Sequence, residues 1–496
     1  MLNVRRLRAP RFWLISALVG YFMIQITLRP ILSSSLELDE AELMLLTQRL
    51  DWGYTAQPPL YTWLQIAVFE LTGRHIFGLA ILKNLLLFLT YYFNYLSTKR
   101  VFRGDFRRLV IVTLSFFLIR QIAWEAQRDL SHTVLALMLA SASLYWILRG
   151  IEQRSTYWYL MYGFLMGLGV LSKYNFGLFI ISANITLLTL PAGRDVLGHW
   201  RIILSLTIFF LVIFPHGLWF ADHTDIALSS QHKLQMSGNS GRWSGIASLA
   251  LASLDFVTPL WLVYVAVFRR QFLWTGFGDT VSQSYVQRYL LATVTVLISG
   301  ILLFGVSHIS DRWLTPLLFA LPAAVCCKLP TIQRREFLWF AGISSTMAIA
   351  ILVAFVIRAT LWPAYITPTR HQFPFEGFAE KLRQENMAAP TIIGDSAFIA
   401  GNLIYWLPKS VAYTPGIEFP HPRKTDTAEK LLIAWDAEKQ KQMPNKLSEL
   451  LRDTLRFNTE KLKPTYISIP YYKSTKKIAT LGFVLITETN NGNAKY

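Results

Sequence analysis

Charged side chains are scarce in this chain of 496 residues: Asp, Glu, Lys and Arg together make up 16%, where an average soluble domain carries about a quarter. An ordinary soluble enzyme is excluded by that alone. Cysteine is nearly absent. The two present, Cys326 and Cys327, are neighbours inside an apolar block, so they cannot bridge distant segments, and a disulfide-built secreted scaffold is excluded as well. No P-loop or dinucleotide fingerprint occurs, and no ligand spacing demands a metal. Acidic residues are the minority charge, 30 against 48 Lys and Arg. A net charge of +18 in a soluble chain would point to nucleic acid, but here the placement of the charges says more than their sum.

What the chain has in abundance is long apolar runs. Hydrophobic residues make up 53%, gathered into blocks of the length that spans a bilayer as helix. The blocks lie near 12–31, 76–96, 109–122, 130–148, 158–172, 176–192, 202–220, 245–268, 289–306, 313–328 and 337–357. This predicts a polytopic α-helical membrane protein with about eleven transmembrane helices. With the N-terminus placed in the cytoplasm, the loops on that side hold nineteen Lys and Arg, and the opposite loops fewer than half as many. The positive-inside rule keeps the N-terminus there and, for an odd number of spans, puts everything after Arg358 on the other face. Residues 358–496 contain no spanning block. Their β-type runs at 391–393, 431–435, 466–469 and 483–487 alternate with helical patterns near 375–385, 397–407 and 446–457, which predicts a soluble α/β domain, read as a lid or docking module without chemistry of its own. The expected organisation is a transmembrane domain over 1–357, including an outer loop 32–75 with interfacial helices, and a soluble α/β domain over 358–496.

That outer loop is too long for a connector and too amphipathic to be disordered. In ELDEAELMLLTQRL, at 100° per residue, Asp39, Leu43, Leu46 and Leu50 share one helical face while Glu37 turns away from it. A carboxylate in line with an apolar stripe must find a partner or have work to do. The alternative is a helix-start charge stabilised by the macrodipole, which would account for Glu37, Asp39 or Glu40 alike. Pro58 and Pro59 then open a second helix whose Tyr61, Trp63, Leu64 and Phe69 suit the headgroup boundary. Glu40, Tyr54, Gln57 and Tyr61 are the substrate-contact candidates of the loop.

More ionisable groups collect toward the same outer side: Arg128, Asp129 and His132 at the start of the fourth block, Lys173 at the end of the fifth, and Asp311 with Arg312 at the start of the tenth. Lys83 lies within the second block, about 10 Å below its outer end. Each has an ordinary explanation. Arg312 and Lys173 can snorkel to headgroups, Lys83 can pair with a carboxylate, and His132 can be a satisfied core histidine. Together they make a cationic site that suits an anionic lipid phosphate.

Through LDEAELMLLTQRLDWGYTAQPPLYTWL, RDLSHTVLALMLA, GFLMGLGVLSKYNFG and DRWLTPLLFALPA, in that order over residues 36–329, the chain resembles membrane glycosyltransferases of GT-C architecture. These are related to the protein O-mannosyltransferases, the bacterial lipid A aminoarabinose transferase and the transferases that add uronic acids to lipopolysaccharide. The resemblance implies a multi-pass protein of the bacterial inner membrane with its C-terminal domain in the periplasm. It implies transfer of a hexosyl or pentosyl unit from a polyprenyl-phosphate donor to a lipid A, lipopolysaccharide or other glycan acceptor. Membrane lipids, and no nucleic acid, complete the partners. On the same ground Asp39 is the catalytic carboxylate, Asp129 the second loop acid, Lys173 the basic residue near the lipid phosphate, and Lys83 stands where an arginine is usual; Arg312 and Arg128, from the cationic cluster, complete the donor-phosphate candidates.

One departure bears on the donor. Ala56 and Gln57 stand where the aminoarabinose transferase has a Glu-Lys pair before its two prolines, so Gln57 supplies no charge and phosphate recognition shifts to Lys173 first, Arg312 second, and Lys83. The mechanism expected is direct displacement. Asp39 takes the proton of the acceptor hydroxyl as it attacks the anomeric carbon, the centre inverts, and fixed cations stabilise the leaving phosphate. No cofactor is required, and Mg²⁺ or Mn²⁺ held by Asp39, Glu40 and Asp129 would be an optional addition. Two other classes compete. A transporter or flippase of lipid-linked sugars is disfavoured by the lack of repeated halves. A lipid-linked glycan polymerase or ligase would place its large outer loop late between spans, not at the C-terminus.

Overall fold

The computed structural model describes residues 2–235, 238–269, 278–385, 387, 389–417, 430–454, 457, 462–474 and 477–487. The chain divides into two compact units: Met1–Ile24, Ala56–Tyr61 and Lys83–Ile351 form one, and Gln25–Thr55, Thr62–Leu82 and Leu352–Tyr496 the other.

Every apolar block of the sequence lies on helix. Among the described residues, seven helices are long and apolar enough to cross a bilayer: Phe12–Leu32, Ile76–Val101, Ser131–Glu152, Ile202–Asp222, Gly241–Phe268, Val281–Phe304 and Arg334–Thr360. Two more blocks are bent pairs, Phe106–Leu118 with Gln121–Arg128 at 69° and Phe176–Leu188 with Pro191–Leu197 at 118°, which brings the number to nine if each pair is one span. The count of about eleven came from two further blocks. One is the 17-residue helix Thr156–Ser172, and the other is broken into Asp311–Leu318 and Leu321–Cys326, with Pro322 opening the second piece. Within the first unit, Thr156–Ser172 lies directly on Ile202–Asp222, where a Cβ at Gly163 would overlap the backbone of Ser205. Small residues at such contacts are how helices associate in lipid.

The third block breaks where its apolar run gives no sign. After Phe106–Leu114 the backbone tightens to a 3-10 turn over Ser115–Leu118 and widens into a π turn over Gln121–Glu125. Leu130 then takes φ 69°, the left-handed region that a branched side chain rarely adopts. Both features gather at functional sites.

In the second unit the tail folds round a five-stranded sheet of β1 (Thr391–Gly394), β2 (Val411–Tyr413), β3 (Lys430–Asp436), β4 (Thr465–Pro470) and β5 (Ile478–Thr487), in the order β2-β1-β3-β5-β4. β1 runs parallel to β2 and β3, and β5 antiparallel to β3 and β4. Ile393, Leu431, Ile433, Trp435, Val484 and Ile486 form one core with Leu447 and Leu451, and the helix Ala397–Trp406 links β1 to β2. The four strand runs expected from the sequence are present and β2 is added; the expected helix near 446–457 is the short Asn445–Glu449 followed by a π turn to Thr454. The outer loop contributes to this same unit. Its helix Leu38–Leu46 packs on Ala397–Trp406, at a distance that only Gly401 permits, since a Cβ there would overlap the Ala41 carbonyl.

Candidate active site

Asp39 lies half-buried in the first turn of Leu38–Leu46. Its two acidic neighbours are both spent on structure. The Glu40 carboxylate receives the Nε of Arg29 at 2.9 Å on Oε1, a second guanidinium contact on Oε2, and the Glu37 N–H at 2.9 Å. Glu37, read from the sequence as turned away, is 1% exposed. Its Oε1 lies 3.0 Å from His371 Nε2 and 3.3 Å from an Arg358 terminal nitrogen, with Arg370 3.8 Å from Oε2. The helical wheel misplaced it because Glu37 caps the helix with extended backbone, ψ 177°, and is not part of the wheel. The expected stripe is shorter too, since the helix ends at Leu46 and Leu50 is exposed. Burial alone would raise the Glu37 pKa, but the His371 hydrogen bond and the charges of Arg358 and Arg29 outweigh it and hold the carboxyl at about 2. Burial pushes His371 below its ordinary value, so at neutral pH it donates as a neutral ring.

Tyr54 is also built in. Its hydroxyl accepts the Asp51 N–H at 2.8 Å and donates to Arg49 O at 3.0 Å, and Trp63 Nε1 donates to Asp51 O at 2.7 Å. Together these lock the turn after the Asp39 helix.

In the first unit the segment 127–133 is a hub. Gln127 Nε2 donates to Asn84 Oδ1 at 2.9 Å, which ties the hub to the helix carrying Lys83. His132 lies against Tyr61, ring centroids 5.7 Å apart, four residues beyond the half-buried Gln57. Thr133 Oγ1 accepts Lys173 Nζ at 2.7 Å. Asp129, half-buried, follows the short helix Ala126–Arg128 and precedes the strained Leu130. Arg128 is paired with Glu125 at 3.1 Å. Asn175 Nδ2 donates to Trp313 O at 3.1 Å, joining the Lys173 turn to the helix start that carries Arg312, whose exposed side chain makes no ion pair among the described residues. So Arg128, Asp129, Lys173 and Tyr61 come together round one segment, with Lys83 on the helix bonded to it through Asn84 and Arg312 at its margin.

Sequence reasoning missed the neutral members, Asn84, Gln127 and Thr133, and a second charge set. Arg120 pairs with Glu125 and Asp311, both at 2.8 Å, and with Asp255, while Gln121 Nε2 reaches Asp311 at 2.7 Å. An arginine and a carboxylate inside RQIAWEAQRD, at the end of an apolar block, were the available signal. Lys83 differs from all these cations. It is 4% exposed, and its ammonium has no hydrogen-bond partner among the described residues. Nor, among the described residues, do three or more His, Cys, Asp or Glu side chains stand together as metal ligands would; of the carboxylates considered for Mg²⁺ or Mn²⁺, Glu40 is committed to Arg29.

Residues 56–219 match the family described as dolichyl-phosphate-mannose-protein mannosyltransferase. The lipopolysaccharide core galacturonosyltransferase RgtB of Rhizobium johnstonii is 34% identical over 480 residues, covering 93% of this chain and 94% of its own. RgtA of the same organism, with the same description, is 30% identical over 445 residues, 85% and 86% of the two chains. The crystal structure of ArnT from Cupriavidus metallidurans bound to undecaprenyl phosphate superposes with a TM-score of 0.64 at 11% identity, covering 94% of this chain and 97% of that one. That last likeness is one of fold.

Proposed function

The chain belongs to the GT-C family of membrane glycosyltransferases, and from that premise we propose that it transfers galacturonic acid from a polyprenyl-phosphate carrier to a lipopolysaccharide core or lipid A acceptor. The reaction is placed on the periplasmic face of the bacterial inner membrane, with the N-terminus in the cytoplasm. The observation that carries the donor half is Lys83. A buried ammonium without a hydrogen bond is costly, and cations at such depth mark ligand paths; a carrier phosphate entering from the bilayer would satisfy it. The sugar rests on the two relatives, each described as a galacturonosyltransferase. A uronic acid also brings a second anion, which suits a site with several cations.

In this reading Asp39 takes the proton of the acceptor hydroxyl as its oxygen attacks the anomeric carbon. The bond from that carbon to the phosphate oxygen breaks, the carrier phosphate leaves, and the anomeric centre inverts. Asp129 is the second acid, beside the strained Leu130, and Gln57 contributes a neutral hydrogen bond. Lys83, Lys173, Arg128 and Arg312 stabilise the charge on the departing phosphate, so a metal ion is an accessory at most.

The test is transfer by the purified protein in proteoliposomes, with polyprenyl-phosphate galacturonic acid as donor and a lipopolysaccharide core lacking that sugar as acceptor. Product of inverted configuration by NMR, formed equally with EDTA present, is expected. Use of a neutral hexose donor in preference to the uronic one would overturn the sugar assignment. A reporter fused after Tyr496 should read as periplasmic, and a cytoplasmic reading would overturn the topology.

A further inference from the structure

The helix that carries Asp39 is held at both ends by the sheet domain. Before it, the Leu36 N–H donates to Asn402 Oδ1 at 2.8 Å, while Asn402 Nδ2 donates to Phe398 O at 2.9 Å and reaches Leu36 O at 3.4 Å. After it, Gln48 Nε2 donates to Ala412 O at 2.8 Å, and Gln48 Oε1 accepts the Ala412 N–H at 2.9 Å. A primary amide offers one donor face and one acceptor much as a peptide group does. Gln48 therefore pairs with β2 at the open edge of the sheet in the manner of one more strand. Between these points Ala41 rests on Gly401. Ser33 and Ser35 extend the attachment upstream, their hydroxyls donating to His371 O and Phe373 O.

We propose that Asn402 and Gln48 are positioning residues for the transfer reaction, and that the sheet domain serves as the platform that fixes Asp39 rather than as a lid. The inference rests on Asp39 being the base. A general base works only within hydrogen-bond reach of the proton it takes, and a misplacement of about 1 Å costs on the order of a hundredfold. A helix of nine residues is too short to hold its own geometry in water. Its place is set by what grips its ends, and the two amides grip opposite ends.

The experiment combines hydrogen–deuterium exchange with steady-state kinetics on the full chain in proteoliposomes, using the galacturonic acid carrier as donor. In Asn402→Ala and Gln48→Ala, the amides of residues 37–46 should exchange faster while those of β1 and β3 keep their protection. The kcat should fall by roughly ten- to a hundredfold, the range of a small misplacement, and the KM for the donor should stay within about twofold. Unchanged exchange over 37–46, or faster exchange with kcat intact, overturns the proposal. Gln48→Ala, at the half-buried sheet edge, decides the matter should Asn402→Ala loosen β1 and β3 as well. Asp39→Asn in the same preparation separates the two ideas. If it transfers at the wild-type rate, the base assignment fails whatever the amides do; if it is inactive while both clamp variants retain full kcat, the platform fails alone.

Discussion

Glu37 and Lys83 are both enclosed, at 1% and 4% exposure, and they differ in the charged groups around them. Round Glu37 protein partners crowd in: the neutral His371 and Arg358 lie within hydrogen-bonding distance of Oε1, Arg370 stands 3.8 Å from Oε2, which accepts no hydrogen bond among the described residues, and Arg29 is held on the adjoining Glu40. The Lys83 ammonium has no hydrogen bond among the described residues, and the next residue, Asn84, is bonded to Gln127. A buried charge whose partners are all protein contributes to one fixed geometry. A buried charge left for something else to satisfy is a cost that folding alone does not explain. On this comparison Glu37 belongs to the framework of the fold, and Lys83 is the buried charge that the proposed donor phosphate would satisfy.

The largest effect expected lies beside Glu37, not on it. Asp39→Asn should lower transfer by about 10² to 10⁴, the range for loss of general-base catalysis, with the thermal unfolding midpoint unmoved. A drop in the midpoint of the same variant would make Asp39 one more structural carboxylate and collapse the distinction. Next comes Glu37→Gln, expected to destabilise the folded protein by about 3 to 5 kcal/mol, because Arg358 and its neighbours lose their buried counter-charge. Thermal unfolding in detergent measures this, and an unchanged midpoint would remove Glu37 from the framework. Lys83→Met should do the reverse. The midpoint should hold or rise, while the dissociation constant for the polyprenyl-phosphate donor rises by about ten- to a hundredfold, the worth of one charged hydrogen bond. Weakened folding with donor binding intact would make the two buried charges alike. The smallest effect is with pH. For both His371 and Glu37 the folded pKa lies below the unfolded one, so the unfolded chain binds more protons and stability falls on acidification. Protection factors of the amides at 33–48, taken relative to the intrinsic exchange rate at each pH, should begin to fall below about pH 6.5, the ordinary histidine value, and fall further between 4.5 and about 2 as the Glu37 contribution is lost.

How much of this could be read from the sequence depended on the range of the interaction. The apolar blocks became helices because twenty consecutive apolar residues are a local fact, and the β-type runs of the tail became β1, β3, β4 and β5 for the same reason. β2 was invisible, since three residues carry no alternation to read. The break near Ile119 and Arg120 was marked in the sequence only by Arg120 and Gln121 at the end of an apolar run, and the partners of Arg120, Asp255 and Asp311, lie 135 and 191 residues away. Glu37 was misjudged because its partners lie 321 and more residues downstream and because a cap residue does not obey the helical wheel. The members of the 127–133 hub were found where they carry charge and missed where they are amides or hydroxyls, since a neutral polar side chain in an apolar helix looks the same whether it lines a site or bonds to its own backbone.

The bond between Gln48 and Ala412 joins residues 364 positions apart, and this sets an order of events in the life of the chain. Residue 48 leaves the ribosome before β2 by roughly 20 to 70 s at ordinary rates of synthesis. Through that interval the segment bearing Asp39 has no edge to pair with and no Asn402 to hold it. On the proposal above, a chain that stops between residues 361 and 412 would carry every candidate spanning helix of the described residues, together with Asp39 and Lys83, and transfer sugar at least ten- to a hundredfold more slowly.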